Sequence, residues 1–151
     1  AYERVILNDV IEFAKFETNA DKVCVAGCSF GGYHAANLAF RHPEKVKYLF
    51  SMGGSFDIKE FIYGYYDDDC YFNNPSDYLP NLNDEWYLDH IKRMEIILGS
   101  GQWDICLDEN RRLSAILTSK GIEHSFDIRP GAGHDWNSWK EMFAQYLSHI
   151  E

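Results

Sequence analysis

Hydrophobic positions along the chain switch repeatedly between the spacing of a surface helix and the run of a buried strand. Ile6, Val10, Phe13 and Ala14 recur at helical spacing among charged residues, so residues 3–17 are expected to form an amphipathic helix lying on a sheet, ended by residues 19–21. Residues 22–27, KVCVAG, are short, apolar and β-branched, the pattern of a strand buried on both faces of a parallel sheet. Residues 30–41 are rich in Ala and Leu and read as a helix. His42-Pro43 stops it, because the residue before proline avoids the α region. Residues 46–52 form the next expected strand. Strand 94–98, a helix from about 108 to 119 closed by Gly121, strand 123–129 and helix 136–150 follow. Strict alternation of strand and helix implies right-handed crossovers and a parallel sheet covered by helices, the α/β class, in one domain over residues 1–151.

Residues 55–90 interrupt this rhythm with Tyr63, Tyr65, Tyr66, three consecutive aspartates from Asp67 to Asp69, Tyr71 and Phe72, and turns around Pro75 and Pro80. Long excursions in compact domains commonly carry function, so a substrate-facing cap is expected here, against the alternative of a solvated surface loop. The aspartate run lacks the spacing of a calcium loop and reads as a solvated charge cluster.

Composition changes this picture only by exclusion. A 46% hydrophobic and 25% charged chain is ordinary for a packed domain. Its formal net charge of -10 argues against nucleic acid and anionic membranes as partners, because binding a polyanion relies on Lys and Arg. No apolar run approaches the roughly 20 residues that cross a bilayer, and the cytoplasm is the expected compartment. The chain begins with Ala1 rather than Met, so an upstream segment is expected to have been removed or left out. Cys24, Cys28, Cys70 and Cys106 show no CxxC pairing. They are expected as reduced thiols rather than metal ligands, and Cys24 and Cys28, beside the GxSxG turn, as small buried hydrophobes.

Gly27-Cys28-Ser29-Phe30-Gly31 matches GxSxG, directly between an expected strand and an expected helix. There the serine takes a strained turn and presents its hydroxyl, while Gly27 and Gly31 let strand and helix backbones approach. The Phe30 amide, at the helix N-terminus, can donate to a developing oxyanion. The plain alternative is a tight strand-to-helix turn, but neither GxGxxG nor GxxxxGK is present to suggest a phosphate cradle. A neutral serine needs a base and a group to orient that base. His134 fits as the base. It lies in a glycine-rich loop, residues 129–136, after the last expected strand, with Trp136 beside it on the substrate side. Asp104, in the loop after strand 94–98, fits as the acid and equally as a helix N-cap. Asp108, Glu109 and Asp57 remain competing acids.

These motifs resemble the "Putative esterase" family of α/β-hydrolases, which includes esterase D-like S-formylglutathione hydrolases and feruloyl esterases. The resemblance rests on residues 27–46 (GCSFGGYHAANLAFRHPEKV), the SGQWD turn ending at Asp104, ENRRLSAIL with the following KGIEH, and GAGHDWNSWKEMF. It implies that nucleophile, acid and base are Ser29, Asp104 and His134, and that a small-molecule carboxylic ester is hydrolysed without cofactor or metal. Acyl transfer with the same residues, or a non-catalytic binding module that keeps the elbow as structure, are the alternatives. The family's fold places several strands before the nucleophile strand, whereas here only one helix precedes residue 22. The expected chain is therefore the carboxyl-terminal half of the fold, or one completed by a second copy or another partner that supplies strands. A second oxyanion donor is then missing, and the strand edge lies open to association.

Overall fold

A computed structural model describes residues 2–150. Four parallel strands, β1 (Val23–Cys28), β2 (Val46–Met52), β3 (Glu95–Gly101) and β4 (Ser125–Arg129), form one sheet in the order of the sequence. Each is followed by a helix on the sheet or by the excursion. Helix α1 (Tyr2–Val5), a π-helical turn (Ile6–Val10) and α2 (Ile11–Thr18) run end to end before β1, and α3 (Phe30–Arg41) joins β1 to β2. Between β2 and β3 the chain makes a 3-10 turn (Ile58–Phe61) and three short helices, α4 (Asp68–Tyr71), α5 (Pro75–Asn81) and α6 (Glu85–Ile91). Helix α7 (Leu107–Ser119) joins β3 to β4, and α8 (Trp136–Leu147) closes the chain. This is the α/β class that the alternation predicts.

Alternate strand residues feed two cores. Leu49, Ile96 and Leu98 point to the side of α3, α5, α6 and α7, where Ala36, Ala39, Phe40, Leu79, Ile91 and Leu113 complete the main core. Tyr48, Phe50, Met52 and Ile97 point the other way, onto Trp139, Met142 and Tyr146 of α8. Helix α8 thus covers the middle of the sheet and stops short of β1. For that reason β1 is not buried on both faces as expected. Val23 and Val25 pack inward, whereas Cys24 and Ala26 are exposed on the face that α8 leaves open.

The amino-terminal helix also departs from expectation. Its buried residues are Leu7 and Ile11, which pack on Leu38, Val23 and Val25. Val10 and Phe13, expected on the sheet, are 50% and 64% exposed. The π-helical turn changes the phase of the apolar stripe, so a straight-helix extrapolation places it on the wrong face.

The excursion is folded rather than solvated throughout. Phe56 and Asn74 have no exposed surface, and Leu79 and Ile91 sit in the main core. Asn73 ties it to α3, accepting from the Tyr33 hydroxyl at its carbonyl (2.7 Å), and from Asn37 (2.9 Å) and Arg41 at its side chain. Asp67 caps α4 by accepting from the Cys70 N–H at 2.9 Å, a structural use for the first of the three consecutive aspartates. Among the described residues, no helix is long and apolar enough to cross a membrane.

Candidate active site

Strand β1 runs without a linker into α3, and the residue that absorbs the reversal is Ser29, at φ 53° and ψ -125°. A non-glycine residue in that region is strained and persists only where its surroundings hold it. Here the Ser29 N–H donates to the Met52 carbonyl (2.9 Å), and the Ser29 carbonyl accepts from Gly32 (2.9 Å) and Tyr33 (3.2 Å). A side chain at Gly27 would meet the Gly31 carbonyl oxygen at 2.1 Å, so glycine is required there. Gly31 itself faces open space. The close approach expected of both flanking glycines is therefore met at Gly27 and at Gly32, whose Cβ would lie 2.5 Å from Ser51 Oγ. The Phe30 N–H, first in α3, has no carbonyl one turn earlier to bond.

His134 reaches Ser29 from the far side of the sheet. Its Nε2 lies 2.9 Å from Ser29 Oγ and its Nδ1 lies 2.8 Å from Asp104 Oδ1. A carboxylate only accepts, so the ring donates Nδ1–H to Asp104 and leaves the Nε2 lone pair for the serine hydroxyl. The Asp104 side chain is fully buried. Its Oδ1 also accepts from the Cys106 N–H at 2.7 Å, while its Oδ2 has no partner among the described residues. The helix-cap reading of Asp104 is not met: the N-cap of α7 is Cys106, which makes no side-chain cap bond, and the Asp104 bond to the Cys106 N–H closes the turn just before the helix.

The competing acids are engaged elsewhere. Asp57 caps the 3-10 turn and pairs with Arg112 (3.5 Å), Glu109 accepts from the Asp57 N–H (2.9 Å), and Asp108 pairs with Arg111 at the surface (3.0 Å). Trp136 opens α8, 67% exposed, and stacks edge-on against Trp139 with ring centroids 5.2 Å apart. It stands one ring away from His134, not against Ser29.

Three residues that frame this geometry were given no role by the sequence, although Gly101 and Trp139 lie inside the SGQWD and GAGHDWNSWKEMF stretches. Gly53 directly follows β2 at φ +57°, and a Cβ there would lie 2.6 Å from Asp104 Oδ2 and 3.2 Å from His134 Nδ1. Gly101 ends β3, and its Cβ would strike the Ala132 carbonyl at 2.3 Å, in the loop that carries the histidine. Trp139, 7% exposed, meets the His134 ring edge-on at 4.8 Å. The only local signal was a glycine at each strand end and a tryptophan five residues after the histidine on α8.

Burial, with help from the charges of Glu109 and Asp104, pushes the Cys106 thiol up to about 11. Asp104, Cys106 and His134 each offer a ligating atom within 4.8 Å of the others, the one such group among the described residues.

Residues 1–150 match the family described as "Putative esterase". The chain belongs to that family. No curated protein matches the sequence. Among solved structures, a ferulic acid esterase superposes with a TM-score of 0.79 at 22% identity, covering 97% of this chain and 59% of that one. A ferulic acid esterase from the anaerobic fungus Anaeromyces mucronatus gives 0.69 at 16%, covering 99% and 53%. An S-formylglutathione hydrolase from Staphylococcus aureus gives 0.66 at 16%, covering 97% and 61%. At these identities the likeness shows the α/β-hydrolase type of fold. The family member described here spans about three fifths of the ferulic acid esterase first named.

Proposed function

We propose that this esterase-family chain hydrolyses carboxylic esters through Ser29, His134 and Asp104. The observation that carries the proposal is the continuous hydrogen-bonded line from a buried carboxylate through an imidazole to a strained, presented hydroxyl. In this reading Ser29 Oγ attacks the ester carbonyl as His134 Nε2 takes its proton. Asp104 holds the ring in the required tautomer and stabilises the imidazolium. The Phe30 N–H, at the positive end of α3, donates to the oxyanion. His134 then returns the proton to the departing alcohol, leaving an acyl group on Ser29. Water, activated by the same nitrogen, releases the acid.

A second oxyanion donor is assigned to a strand or partner that pairs with the open β1 edge, since loss of one such donor costs about 10² to 10³ in rate. Phe30 contacts Phe61 of the excursion edge-on at 5.3 Å, while Trp103 and Trp136 stand exposed beside Asp104 and His134. These rings suit a small ester with an aromatic portion better than a long lipid chain.

A fluorophosphonate probe tests the reading. The expected result is one adduct on Ser29, located by mass spectrometry, absent in Ser29→Ala and slowed at least about 100-fold in His134→Ala. A folded protein that leaves Ser29 unlabelled, or a His134→Ala variant that labels at the parental rate, rejects it.

A further inference from the structure

Two facts about the acid end of the relay are unused by ester hydrolysis. Asp104 Oδ2 is buried without a hydrogen-bond partner, although an orphaned carboxylate oxygen is costly in an apolar setting. Beside it stands a buried thiol, Cys106, to which the proposed mechanism gives no part. We propose that Asp104, Cys106 and His134 form an inhibitory site for a thiophilic divalent cation, with Zn2+ as the type ligand, that silences the relay by holding His134 in the wrong tautomer. The proposal rests on the catalytic roles assigned above.

The donor set suits the ion. Oxygen, nitrogen and sulfur ligands bind Zn2+ at about 2.0 to 2.3 Å, which places ligand atoms on the order of 3.5 Å apart around a tetrahedron. The three groups offer atoms within 4.8 Å of one another, so modest side-chain rotations close the site. Charge suits it as well. One carboxylate, one thiolate and a neutral imidazole cancel the two positive charges, so the closed site buries no net charge. A thiolate ligand favours Zn2+ over Mg2+ and Ca2+, which prefer oxygen alone.

The consequence follows from the two nitrogens of one ring. The nitrogen that faces Asp104 is Nδ1, and a cation bound there displaces its proton to Nε2. The Cys106 thiol releases its own proton to solvent as the sulfur–metal bond forms. Nε2–H then donates to Ser29 Oγ and has no lone pair to accept the serine proton. The nucleophile stays neutral even though its hydrogen-bond distance need not change.

Two readouts, one independent of activity, decide the matter on the full chain. With Co2+ as a spectroscopic probe, binding is expected to give a thiolate-to-metal charge-transfer band that titrates to one equivalent. The band should disappear in Cys106→Ser and in Cys106→Ala and persist in Cys24→Ser. With Zn2+, fluorophosphonate labelling of Ser29 is expected to stop at saturation and recover on chelation, while Mg2+ has no effect. Cys106→Ser should label at the parental rate without metal and need over about 100-fold more Zn2+ for inhibition, more than loss of an outer hydrogen-bond partner costs. Absence of the Co2+ band, or a Cys106→Ser variant as sensitive to Zn2+ as the parent, overturns the site. If Ser29 never labels in metal-free protein, the esterase reading fails instead, and the Co2+ titration still reports on the cation.

Discussion

Replacing Gly53 with alanine perturbs the relay while leaving Ser29, His134 and Asp104 themselves unsubstituted. Two effects are separable. At φ +57° a Cβ costs roughly 1–2 kcal/mol in backbone strain. For a domain of this size that strain alone lowers Tm by about 2–8 °C. The second effect is local, because the new methyl carbon would lie 2.6 Å from Asp104 Oδ2 and 3.2 Å from His134 Nδ1. The added carbon can be accommodated only by moving the carboxylate or the imidazole, and either movement changes the line from Asp104 through His134 to Ser29. A displacement of about 1 Å at a reacting group can cost about 100-fold in rate. Gly121→Ala is the control, since Gly121 has φ +65° and open space around its Cβ position. Differential scanning fluorimetry and fluorophosphonate labelling are measured on both variants. Both should lose thermal stability, and only Gly53→Ala should lose labelling. Equal labelling in the two variants would refute the claim that Gly53 makes room for the acid–base pair.

Asp104→Asn should lower esterase activity by about 10⁴-fold, as in the Ser-His-Asp template. Asp57→Asn should leave most of it, and the reverse pattern assigns the acid to the wrong carboxylate. Gly27→Ala should fail to fold or label because its Cβ meets the Gly31 backbone at 2.1 Å. Gly31→Ala, which faces open space within a helix, should keep labelling and gain about 0.5–1 kcal/mol in denaturant unfolding. Asp135 caps α8, and its bond from the Ser138 N–H holds its carboxyl below the usual range. A depressed folded-state pKa contributes stability above the unfolded value of about 3.9, lost as pH falls through the folded value. Asp135→Ala should accordingly lower Tm at neutral pH, with the difference from the parent shrinking below about pH 4. A constant difference down to strongly acid pH would remove the charge from that cap.

Much of the sheet was legible because turn chemistry punctuates it. Helix α3 and strand β2 have the expected bounds, since the GxSxG turn opens one and His42-Pro43 separates them. Strand β3 runs three residues past its expected end. Gly99 to Gly101 read as a turn by composition, yet they pair in register with Asp127 to Arg129 of β4, and the ladder overrides the propensity of glycine. The face of the amino-terminal helix was not legible, because a π-helical turn leaves no mark in residue spacing. The hydroxyl, the imidazole and the carboxylate were nominated by motif and chain order. Gly53, Gly101 and Trp139 were not, because their reason lies in contacts between loops distant in sequence.

Those glycines follow from one geometric requirement. In the order β1-β2-β3-β4, Ser29 leaves the first strand and the histidine loop leaves the fourth. Three interstrand spacings of about 4.8 Å separate them, roughly 14 Å. The loop of residues 130–135 must therefore fold back over the ends of β3 and β2 to bring an imidazole within 2.9 Å of Ser29 Oγ. At the first crossing it lies on Gly101, held by the Trp103 N–H donating to the Ala132 carbonyl at 2.9 Å. At the second, the ring passes over Gly53. A glycine stands at each crossing, Gly101 as the last residue of β3 and Gly53 directly after β2. Gly101→Ala should then lose labelling as Gly53→Ala does, although its Cβ would meet the loop backbone rather than the ring or the carboxylate. If it labels normally, the path of the loop over β3 is not what sets the reach of His134.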